Sequence, residues 1–83
     1  MGWIDRFAEA LGEPPPSEAE AARLRDAARE VAHRVERKAT PLAAYLLGAA
    51  AGRRMAAGES PEAATRAVLQ TLAAVLPAAP TEN

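Results

Sequence analysis

Between Pro41 and Gly52 the chain carries no charged residue, and this run lies inside the longer stretch TPLAAYLLGAAAGRRMAAG, Thr40 to Gly58. Its ends carry helix signals. Thr40 is placed to cap, because its hydroxyl can accept from an orphan N–H of the first turn. Pro41 suits the first helical position, where a missing N–H costs nothing. Arg53 and Arg54 suit the negative end of the helix dipole, and Gly58 suits a left-handed stop. The spacing therefore predicts a helix over 41–57. Leu42, Leu46 and Ala49 share one of its faces, with Tyr45 beside them. Ala44, Gly48 and Ala51 share another, with Gly52 at its edge. A helix that is apolar nearly all round is expected at the centre of a bundle. Glycine costs roughly 1 kcal/mol in a helix interior relative to alanine. Gly48 and Gly52 are therefore expected to mark a close approach by a neighbouring backbone. A membrane span needs about 20 apolar residues, and this run meets two arginines first.

The flanking segments are amphipathic. Residues 2–11 place Trp3, Ile4, Phe7 and Leu11 on one side and Asp5, Arg6 and Glu9 on the other. Trp3 and Phe7 are the chain's only Trp and Phe. Such large apolar anchors are expected to dock this short helix onto the bundle, or failing that onto a partner. Residues 12–16 form a connector stiffened by Pro14, Pro15 and Pro16. Ser17 and Glu20 make a capping box for a helix over 18–37. Its stripe is Leu24, Ala28, Val31 and Val35, at helical spacing. Gly58-Glu59-Ser60-Pro61 stops one helix and starts the next, over 61–76, with Ala64, Val68, Leu69, Leu72, Val75 and Leu76 facing inward. Residues 77–83 are expected to be a frayed tail. The predicted fold is an all-α antiparallel bundle, three main helices plus a short N-terminal one.

Composition limits the functional classes. The chain of 83 residues is 49% apolar, but much of that is alanine, so its core should be thin and association should help it. It has no cysteine, which removes disulfides and thiolate metal sites and is compatible with a reducing cytoplasm. The opening MGWIDRFAEALG has no apolar run of signal-peptide length, so no leader is expected there. The net charge of −1 hides an acidic segment through Glu20 and a basic one from Arg23 to Arg54. The two are expected to face each other within the bundle. That near-neutral total argues against nucleic-acid binding, as does the lack of polar side chains early in the 41–57 helix.

No catalytic constellation emerges. One histidine without cysteine or a Glu-x-x-His pair supports no metal site. Ser17 and Ser60 are both explained as caps, leaving no nucleophile for His33. One polar cluster stands out. Arg29, His33 and Arg37 fall at i, i+4 and i+8 on a continuous helix, with Lys38 next to them. Such a ridge, opposite the apolar stripe, can hold a phosphate or carboxylate through charge-assisted hydrogen bonds. A solvated helix face is the ordinary alternative.

The stretch AREVAHRVERKATPLAAYLLGAAAGRR resembles the core of a small bacterial all-helical domain of unknown function, found free-standing or beside or fused to molybdenum cofactor guanylyltransferase-like proteins. The match runs from Ala28 through Arg29, His33, Arg37, Pro41 and Gly48 to Gly52 and Arg53, and Trp3 to Leu11 resembles the family's tryptophan-bearing start. Glu30, Arg34, Lys38 and Tyr45 depart from its pattern. The resemblance implies a cytoplasmic helical domain attached to molybdenum cofactor delivery or molybdoenzyme assembly. It also implies a phosphate-bearing pterin as the ligand for Arg29, His33 and Arg37. The expectation is thus a non-catalytic binding or adaptor module for a larger protein. Its alternative is a structural subunit or homo-oligomer with no ligand of its own.

Overall fold

Helix formation follows the local signals closely. In the computed structural model, residues 2–78 are described, and they form α1 (Trp3–Leu11), α2 (Glu18–Arg34), a short 3-10 turn (Arg37–Ala39), α3 (Thr40–Ala56) and α4 (Pro61–Val75). No strand occurs among the described residues. The fold is therefore all-α, as the periodicity predicts. Of the expected tail, residues 79–83 lie outside the described residues.

The caps explain the starts and stops. Ser17 Oγ accepts from the Glu20 N–H at 3.1 Å, and Glu20 Oε1 accepts from the Ser17 N–H at 3.1 Å. Ser60 Oγ accepts from the Ala63 N–H at 3.1 Å, with Pro61 following in the first turn of α4. Gly58 has φ +110, and the Glu59 N–H closes back on the Arg54 carbonyl at 3.1 Å. That closure needs a left-handed residue, which glycine adopts without a Cβ penalty. Arg54 then reaches Glu59 at 3.0 Å across the same turn.

Two helix ends differ from expectation. α2 stops at Arg34 instead of Arg37: the Val35 and Glu36 N–H groups both donate to the Val31 carbonyl, and Glu36 turns extended. Had α2 continued to Arg37, two residues would have remained to reverse the chain before Thr40. The reversal is made instead by the 3-10 turn, which runs straight into α3. Thr40 therefore already has helical torsions, φ −57 and ψ −51, and does not cap. Ala39 precedes the helix, and the Thr40 hydroxyl is buried without a hydrogen-bond partner.

Packing is thinner than the pattern promises. α2, α3 and α4 all meet one another, and the largest contact is that of α3 with α4. The core there is Ala51, Ala64 and Val68, with Leu47 and Ala50 half-buried around it. Val31 is buried on α2, but Leu24 and Val35 of the same stripe stay exposed. Val75 of α4 is likewise exposed, while Leu69, Leu72 and Leu76 are half-buried. The backbone of α1 approaches no other helix and Ala8 is its one buried residue, contrary to the expected docking. The chain presents 6346 Å² to solvent, against roughly 4,700 Å² for a compact monomer of this mass.

The glycines also depart from expectation. A Cβ added at Gly48 or Gly52 would meet nothing within 4 Å, so neither admits a close neighbour within the chain. Their helix-propensity cost is not offset by packing in the isolated chain. We expect Gly48→Ala to raise the unfolding free energy by about 1 kcal/mol, measured by urea denaturation; a loss of that size would mean a contact at Gly48. Ser17→Ala should lower it by about 1 kcal/mol through loss of the α2 cap, and an unchanged midpoint would show that the capping box contributes nothing.

Candidate functional site

The polar ridge is not assembled as a continuous row. Arg29 and His33 sit exposed on α2, but Arg37 and Lys38 lie beyond its end, in the 3-10 turn. The i, i+8 alignment requires a helix through Arg37, and the early stop at Arg34 removes it. Arg29 is turned along its own helix, donating to Asp26 at 3.1 Å. Arg34, next to His33, pairs with Glu30 at 2.8 Å. Among the described residues, His33, Arg37 and Lys38 make no side-chain hydrogen bond or ion pair. No group of three potential metal ligands converges among those residues.

Charge pairing is local as well. The ion pairs among the described residues are Asp26–Arg29, Glu30–Arg34 and Arg54–Glu59. None joins the acidic N-terminal segment to the basic middle. The expected mutual facing of the two segments is therefore not formed. Asp5 is engaged only at the start of α1, where it accepts from the Gly2 N–H at 3.3 Å.

What the structure does display is apolar surface. α3 meets α2 and α4, but the face that carries Leu42, Tyr45 and Leu46 is left bare. Leu42, Tyr45 and Leu46 are 68%, 74% and 65% exposed, which corrects the expectation of a helix buried all round. No helix is long and apolar enough to cross a membrane, among the described residues. On α1, Trp3 and Phe7 stack with ring centroids 5.0 Å apart, yet remain 62% and 46% exposed. Ile4 and Leu11 extend that face.

Two recesses flank α3. A cleft of about 320 Å³ opens between α2, α3 and α4, lined by Leu24, Val31, Leu47 and Val68, with Thr40 and Thr65 as its only polar side chains. A groove of about 490 Å³ runs between α3 and α4 over Leu46, Leu47, Ala50, Leu72 and Val75, with Arg53 and Arg54 also on its wall. Neither brings a nucleophile to a general base. Both suit apolar side chains, and the groove adds cations at its rim. The sequence held one signal for the groove: apolar positions on α3 and α4 exceed what three short helices can cover. Periodicity marks such positions but not which of them find a neighbour.

No curated protein and no solved structure matches the chain. Over residues 1–83 it matches a family described as a domain of unknown function, DUF6457. With its full length matched, and with the small helical architecture described above, the chain belongs to the DUF6457 family.

Proposed function

We propose that the chain is a non-catalytic binding or adaptor module that works by lending its apolar surface to a larger protein. The observation that carries this reading is the bare side of α3. Monomeric proteins seldom leave a contiguous cluster such as Leu42, Tyr45 and Leu46 open to water unless something binds there. Tyr45 brings area together with a hydroxyl, which is why tyrosine recurs at interfaces. The resemblance of the 28–54 segment directs the partner toward molybdenum cofactor metabolism in the cytoplasm. On that reading Arg29, Arg37 and Lys38 supply cations, and His33 an imidazole, at the edge of the complex. A second reading, a homo-oligomeric structural subunit, is favoured by the unpartnered apolar face of α1.

The test is a pull-down of the tagged full chain from its own cells, with partners identified by mass spectrometry. We expect a molybdoenzyme or a cofactor-transferring enzyme in the bound fraction. Leu42→Glu with Tyr45→Glu should remove it, while circular dichroism shows the helix content unchanged. Recovery of the chain alone, or capture indifferent to both substitutions, overturns the adaptor reading.

A further inference from the structure

We propose that two copies of this chain dimerise by exchanging α1, each copy's α1 lying in the α3–α4 groove of the other. The proposal rests on the reading of the exposed apolar faces as binding surfaces and names a second copy as the occupant of one of them.

Length, polarity and charge agree. α1 has nine residues and spans about 13 Å at 1.5 Å per residue. The groove follows α3 from Ala43 to Arg54, a run of about 16 Å by the same rise. Trp3, Phe7 and Leu11 recur every fourth residue, the spacing by which an amphipathic helix seats in an apolar groove. The wall they would meet, Leu46, Leu47, Ala50, Leu72 and Val75, is aliphatic. Beside that stripe, the segment carries Asp5, Glu9 and Glu13 against Arg6, and no acid of the three pairs with a cation of its own chain among the described residues. The groove carries Arg53, which has no ion-pair partner among the described residues, and Arg54. An acidic helix is thus complementary to this groove.

The connector favours exchange over closure. Pro14, Pro15 and Pro16 stiffen the link at about 3.1 Å per residue, and α1 is held clear of its own α2, α3 and α4. Two copies related by a two-fold axis satisfy two grooves with two helices, leaving no open end. Trp3, Ile4, Phe7 and Leu11 are each about half exposed or more, so this face still has surface to bury, and the two-fold exchange buries it twice.

Sedimentation equilibrium on the purified full chain tests the proposal, with Trp3 as a built-in fluorescent reporter because it is the only Trp. We expect twice the chain mass of 8.7 kDa and a Trp3 emission that moves to shorter wavelength as dimer forms. Trp3→Ala with Phe7→Ala should raise the dimer Kd at least about 30-fold, with sedimentation as the readout. Arg53→Glu should weaken the dimer, and adding Glu9→Arg should restore it. A chain that stays monomeric overturns the proposal. So does a dimer indifferent to the α1 substitutions, or a shielded Trp3 in the monomer, which would mean that α1 folds back on its own groove. Because the measurement uses the purified chain alone, its outcome is independent of whether a larger partner is captured from cells.

Discussion

Ala51, Ala64 and Val68 hold α3 against α4, and the remaining architecture hangs on that contact. Alanine lets two helices come close and favours the helix itself. It offers little area to remove from water, and burial contributes only about 25 cal/mol per Å². A core of two alanines and a valine is therefore a weak clamp. It is reinforced locally at the turn, where Gly58 closes the end of α3 and Arg54 reaches Glu59. That ion pair is exposed, so its own contribution is small. It spans the turn between the end of α3 and the start of α4, beside the groove those helices form.

The larger apolar side chains are distributed around this clamp instead of inside it. Leu42, Tyr45 and Leu46 face out from α3, Trp3 and Phe7 face out from α1, and Val75 closes the far end of the groove without being covered. The stacking of Trp3 on Phe7 reduces their contact with water only in part. It also brings the two rings together as one apolar ridge on α1. The proline connector is stiff, and α1 beyond it lies away from the other helices.

Local features were legible in the sequence because their physics is local. Ser17 with Glu20, Ser60 with Pro61, and Gly58 each complete a hydrogen-bonding pattern within five residues, so the residues alone define the element. Burial was less legible because it depends on what stands opposite. The charge-free run 41–52 marks α3 as the helix with the most extensive contacts to the others, and it is. The same run cannot show that its Leu42–Tyr45 side lacks a neighbour. The polar ridge failed for a third reason. Its alignment assumed that α2 extends to Arg37, and the five residues after Arg34, Val35 to Ala39, are used to reverse the chain. A periodic pattern of charges gives no signal for where a turn must be made. Gly48 and Gly52 show the same asymmetry. Their spacing permits a close approach, but permission does not supply the neighbour.

The two proposed uses of the apolar surface meet at Leu46. It lines the groove and also lies one turn from Leu42 on the bare side of α3. A larger protein seated on Leu42 and Tyr45 would press on the wall that receives an exchanged α1. Under the proposed reading, dimer and complex therefore compete for one surface and are alternatives for the same chain. Competition of this kind has a physical benefit. An aromatic ridge and an aliphatic groove left open in water invite nonspecific association. A closed two-fold exchange covers both without creating a further sticky edge. The clamp between α3 and α4 is built of small side chains, so it leaves the groove wall made of the larger, uncovered ones. The thinness of the core, a liability for the isolated chain, then becomes the property that lets one small surface accept two occupants.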